Sequence, residues 1–145
     1  MISTKNLLIA LNVKGNQVAK ALGLTQCFAG RTLNGDVFER EPSANYVRFD
    51  LLSNDIDRRT LADNEAETML GGIYQISVYV SKVGKKIPDI EAQGFVDSIR
   101  GSFPQGMKLE SGGQSVRIYR TDVSPQLSDD THIYYAVSVY FEVIA

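Results

Sequence analysis

The sequence predicts an α+β domain: a four-stranded mixed or antiparallel sheet with two helices packed on one face, in the order α-β-β-α-β-β. Two observations carry this. Four segments alternate apolar and polar residues, as half-buried strands do, and two segments repeat their apolar residues every three to four positions, as amphipathic helices do. The length agrees, because 145 residues make one domain, spanning 1–145. A chain of that size buries about two-thirds of its unfolded surface, enough for a core without staples.

The first helix starts at Ser3 or Thr4, either of which can cap it, and carries Leu7, Leu8, Leu11, Val18 and Leu22 along one stripe. Gly15 interrupts that stripe and is expected to divide the helix. Gly23 stands where a left-handed C-cap belongs. From Phe28 to Asn45 turn formers dominate: Gly30, Asn34-Gly35-Asp36 and Pro42. The first strand, 46–51, turns Val47, Phe49 and Leu51 one way and Tyr46, Arg48 and Asp50 the other. Residues 53–71 form a long polar connection, of a length more often functional than decorative.

The second strand, 73–80, has Tyr74, Ile76, Val78 and Val80 on its apolar face. Pro88 and Asp89 open the second helix and Pro104 stops it. Ala92, Phe95, Val96, Ile99 and Phe103 make its buried side, and the opposite side holds the small residues Gly94, Ser98 and Gly101. Strands at 116–121 and 133–144 complete the chain, with Gly112-Gly113 as a turn. A helix joins the second strand to the third, so these two can run parallel while the hairpins are antiparallel, giving a mixed sheet.

Scarce residues narrow the chemistry. Cys27 is the only cysteine and His132 the only histidine. An internal disulfide is impossible, and a Cys/His zinc site lacks ligands. The nucleophile-elbow, phosphate-loop and dinucleotide glycine patterns do not occur. The expectation is therefore a chain that is not an enzyme and takes no cofactor or metal. The competing reading is a small ligand-binding or enzymatic domain using His132 with Asp129 and Asp130. Fifteen basic against seventeen acidic side chains give −2, which offers nothing to draw in nucleic acid or an anionic membrane. There is neither an apolar run long enough to span a bilayer nor a secretory layout at the start.

The nominally wet side of the sheet is unusual. Tyr46, Tyr79, Tyr119, Tyr134 and Tyr140, five of the seven tyrosines, fall there with Arg48, Gln75, Ser77, Arg117 and Ser138. Tyrosine and arginine are enriched in protein interfaces, whereas a solvated face does as well with Thr, Lys and Glu. This face is expected to meet neighbouring subunits, and the Gly94, Ser98 and Gly101 side of the second helix is a further candidate contact.

The strand Ala44-Asn45-Tyr46-Val47-Arg48-Phe49, the polar loop, and Gly71-Gly72-Ile73-Tyr74-Gln75-Ile76-Ser77-Val78-Tyr79 resemble the tail-terminator proteins of long-tailed bacteriophages. The likeness continues through the helix ending in Ser102-Phe103-Pro104-Gln105-Gly106, then Val116-Arg117-Ile118, then the strand from Tyr134-Tyr135 to Phe141. It implies a structural virion protein, made in the host bacterial cytoplasm. Such proteins form hexameric rings on the head-proximal end of the tail tube, stop its polymerisation and meet a head-completion or neck protein. DNA passes through the ring without specific binding, and there are no catalytic residues to transfer. On this reading the loop residues Asp55, Asp57, Arg58, Arg59, Asp63, Glu65 and Glu67 line the lumen or meet the tube. A head-tail adaptor or tail-completion protein is the alternative within the virion.

Overall fold

The structure, a computed structural model, describes residues 4–32, 35–53, 56–57, 69–84 and 87–144. Its helices are α1 (Thr4–Leu22) and α2 (Pro88–Ser102). Its strands are β1 (Thr25–Phe28), β2 (Tyr46–Ser53), β3 (Ile56–Asp57), β4 (Met69–Ser81), β5 (Lys108–Ser111), β6 (Gln114–Val123), β7 (Leu127–Ser128) and β8 (His132–Ile144). The main sheet runs β1-β2-β4-β8-β6-β5, with β3 added to β4 and β7 to β8.

The expected four-stranded sheet with two helices on one face is thus overturned. Strands β1 and β5 extend the sheet at its two edges, and the sheet curls. Helix α1 reaches β1 and β2 near one edge and β5 and β6 near the other, while α2 packs on β4 and β8 in the middle. Parallel pairing occurs between β1 and β2, and every other pair is antiparallel. Strands β4 and β6 do run in the same direction, as the helix between them suggested, but they are not neighbours. Strand β8 lies between them, antiparallel to both.

The core follows from the alternation. Val47 and Phe49 of β2, Tyr74, Ile76, Val78 and Val80 of β4, and Ile133, Tyr135, Val137, Val139, Phe141 and Val143 of β8 are all buried. They meet Leu7, Leu11, Val18 and Ala19 of α1 and Ala92, Val96, Ile99 and Phe103 from α2 and its C-cap in one cluster. Tyr74 is fully buried, and its hydroxyl donates to Asn12 Oδ1 on α1, which satisfies the polar tip that burial would otherwise strand.

Gly15 does not divide α1, which runs unbroken through it. The glycine is buried, and a Cβ there would lie 2.7 Å from Phe49 Cε1. It lets the Phe49 ring lie against the helix backbone. Gly23 does cap α1 from the left-handed region, at φ 71°. The Gly23 and Leu24 amides donate to the Lys20 and Ala19 carbonyls, the double closure of a Schellman end. Gly112 and Gly113, at φ 58° and 80°, make the two-residue turn between β5 and β6 that right-twisted hairpins favour.

Candidate functional site

The register aligns Tyr46 of β2 with Tyr79 of β4, and Tyr79 with Tyr134 of β8. Because side chains opposite one another in a sheet share a face, this places three rings in a row. They stack: the Tyr46 and Tyr79 centroids are 4.4 Å apart, those of Tyr79 and Tyr134 4.6 Å. Phe38 flanks Tyr46 at 5.0 Å, and the Arg40 guanidinium lies 5.9 Å from both the Tyr46 and Tyr79 ring centres. With Arg48 and Asp129 these residues border an open groove of about 310 Å³.

One polar cluster fixes Arg40 in place. Its Nη2 donates to Asp129 Oδ2 at 2.6 Å, to Thr131 Oγ1 at 2.9 Å and to His132 Nδ1 at 2.7 Å. Nδ1 of His132 is thus an acceptor, while Nε2–H donates to the Ala44 carbonyl at 2.7 Å. Those bonds select the Nε2–H tautomer of this buried ring. Asp129 Oδ1 accepts from the Thr131 and His132 amides, closing the turn into β8. Partial burial pushes the Asp129 carboxyl up, but the Arg40 bond and the two amides outweigh it and hold it at about 2. Burial pushes the Tyr46 hydroxyl up to about 12, and burial with the neighbouring Tyr134 raises Tyr79. Tyr46 and Tyr79 therefore present neutral phenols near neutral pH.

A second aromatic cluster lies farther along β8. Arg120 and Tyr140 are register partners, and the guanidinium sits 4.0 Å from the ring centre, the distance of a cation–π contact. Tyr119 falls in a bulge between Ile118 and Arg120, with its ring 6.2 Å from that of Tyr140. Arg117 pairs with Glu142 across β6 and β8. Arg48 bonds Asp50 at 2.8 Å along β2.

Of the residues singled out from sequence, Tyr46, Arg48, Tyr79 and Tyr134 come together around the groove, and Arg117, Tyr119 and Tyr140 form the more distant group. Gly94, Ser98 and Gly101 are exposed on α2. In the polar loop, Asp55, Arg58, Arg59, Asp63, Glu65 and Glu67 lie outside the described residues, and Asp57 belongs to β3. Sequence reasoning passed over Phe38 and Arg40, weighed Asp129 only as a partner of His132 in a competing enzymatic reading, and gave Arg120 no role. Arg40 and Asp129 are 89 positions apart, and nothing in either segment announces the other.

The arrangement carries no sign of acid–base or nucleophilic chemistry at His132 or Cys27. Asp129 receives the backbone amide of His132 rather than its ring, and both ring nitrogens are engaged within the fold. The Cys27 thiol is raised by burial, the reverse of an activated nucleophile. Among the described residues no group of three His, Cys, Asp or Glu side chains could hold a metal ion. Nor is any described helix long and apolar enough to cross a membrane.

No curated protein matches the chain. One solved structure, 18% identical with a TM-score of 0.67 over 100% of this chain and 98% of its own, has the same fold. A family model described as phage tail terminator protein matches residues 16–141. Helix α2 and the aromatic face from Phe38 to Tyr140 fall within that match, and the chain belongs to the phage tail terminator family.

Proposed function

We propose that this chain forms a closed ring, a hexamer, at the head-proximal end of the phage tail tube. The ring stops tube polymerisation and presents its other side to a head-completion or neck protein, so its place is the virion. The role is structural, with no reaction catalysed. The observation that carries the reading is the aromatic face. Stacked tyrosines beside Arg40 and Arg48 border an open groove, with Tyr46 buried beneath Phe38 and Arg40 and Tyr79 and Tyr134 half-buried. Large aromatic area with polar tips and fixed guanidinium groups is the composition of a protein contact surface.

Two further features support it. The exposed outer side of α2, with Gly94, Ser98 and Gly101, lies across the domain from the tyrosines. Two different patches on one molecule are what a heterologous, ring-closing contact requires. A net charge of −2 suits a conduit for DNA, because a strongly basic lumen would displace counterions and hold the duplex.

The test is to mix the purified protein with tail-tube subunits and image the products. Capped tubes of limited length support the proposal. Binding to the portal side with no affinity for tube ends would assign the chain to a head-tail adaptor instead.

A further inference from the structure

We infer that Val37 of one copy seats in the cleft between α1 and β5 of the next, joining neighbours head to tail through opposite edges of the sheet. The inference rests on the ring reading and names one of its contacts.

The cleft comes first. Lys5, Ile9, Val13 and Gln17 follow one another at four-residue steps and form a single outward stripe of α1. Ile9 is 40% exposed and Val13 52%, although both are apolar. Together with Lys14, Leu109 and Glu110 they bound a space of about 170 Å³, room for an aliphatic side chain. Lys14 and Glu110 are the charged residues that line it, and Lys5 stands one turn along the stripe from Ile9. Helix α1 contains Lys5, Lys14 and Lys20 and no acidic residue, and the one acid of the cleft, Glu110, accepts a bond from the Ser115 hydroxyl.

The matching feature lies at the other edge. Val37 is 81% exposed, the most of the large apolar side chains among the described residues. Asp36 and Glu39 flank it, both exposed. Its backbone is held rather than free. Val37 bridges to Arg31, the Phe38 amide donates to the Gly30 carbonyl, and the Thr32 amide donates to the Asp36 carbonyl. The segment is thus an apolar knob with acidic sides, presented beside β1, while the cleft lies beside β5. No ion pair engages Lys5, Lys14, Asp36 or Glu39 among the described residues. Phe38 and Arg40, next along the chain, lie against the aromatic row, so knob and row form one continuous surface.

Charge selects the occupant. An apolar cleft with Lys14 on its rim and Lys5 beside it fits an apolar knob with carboxylates at its sides, and this chain carries both. Because the patches differ and sit at opposite edges, each copy offers one to either neighbour. Such a contact propagates until the rotation closes it.

The experiment measures the oligomer dissociation constant of the full chain by sedimentation velocity, and ring formation on tail tubes by electron microscopy. Val37→Asp and Val13→Asp, both at exposed positions, should keep the wild-type denaturation midpoint and raise the dissociation constant at least tenfold. Reversing Lys5 and Lys14 to Glu, or Asp36 and Glu39 to Lys, should each weaken assembly, and combining all four in one chain should recover it. Rings formed equally well by Val37→Asp overturn the contact and leave the ring reading standing. So does loss of tube capping by Val13→Asp alone, which would give the cleft to the tube. A four-residue combination no better than its halves also overturns it. A wild-type protein that stays monomeric both alone and on tubes removes the ring reading, and this contact with it.

Discussion

Replacing Gly15 with alanine should destabilise the protein, although the same change in most helices does the opposite. In a helix interior alanine is favoured over glycine by about 1 kcal/mol. At position 15 the new Cβ would stand 2.7 Å from Phe49 Cε1, 3.0 Å from Cδ1 and 3.2 Å from Cζ. Carbon atoms rest at about 3.5–4.0 Å, so the ring must retreat by roughly 1 Å. It has nowhere to go. Phe49 is 3% exposed and stacked between Phe28, at 4.9 Å, and Tyr74, at 5.9 Å. Forcing extra volume into a filled core costs about 1–3 kcal/mol, which offsets the propensity gain and leaves a net loss of about 1 kcal/mol. For a domain of this size that is about 2–4 °C in Tm. Urea denaturation of wild type, Gly15→Ala, Phe49→Leu and the double variant forms the test. The smaller leucine should relieve the clash, giving a favourable coupling of about 1 kcal/mol. Gly94→Ala is the control: α2 leaves open space around that position, so it should stabilise by about 0.5–1 kcal/mol. A Gly15→Ala protein as stabilised as Gly94→Ala would refute the packing argument.

Further predictions concern the core, the acidic turn and the aromatic face. Phe103→Ala should cost about 3–5 kcal/mol by denaturation, because its ring is 1% exposed; Phe95→Ala should cost less, since that ring is only partly buried. The Asp129 carboxyl is held at about 2 in the folded state against about 3.9 unfolded, so its contribution is complete above about pH 5 and is lost as pH falls through about 2. The stability difference between wild type and Asp129→Asn should therefore be constant near neutrality and shrink in acid; a difference that grows on acidification would contradict the assigned bonds. Tyr140→Arg, on the open face beside Arg120, should preserve the fold and impair ring formation by light scattering; unchanged mass would remove Tyr140 from the contact.

The sequence conveyed long elements and missed short ones, for a physical reason. Strands β2, β4, β6 and β8 each run eight residues or more, long enough for alternation to declare itself. Strands β1 and β5 have four residues each, too few to show a period, and without them the curl of the sheet around α1 could not be seen. The chemistry of Gly15 was likewise hidden, because helix propensity reads a glycine as a break and only the Phe49 ring explains it. On the aromatic face the Tyr46, Tyr79 and Tyr134 row was legible from alternation alone. Arg40 was not: it sits among turn formers in a segment without periodicity, and its partners Asp129 and His132 come from the far end of the chain. The bulge at Tyr119 shows how one inserted residue brings Arg120 onto the face.

Electron microscopy of tail tubes incubated with the purified protein addresses the central claim most directly. The account predicts a closed ring with six-fold symmetry seated on one end of each tube, and no further elongation when tube subunits are added. Bare tube ends that continue to grow, with the protein monomeric in solution at every concentration, would contradict it.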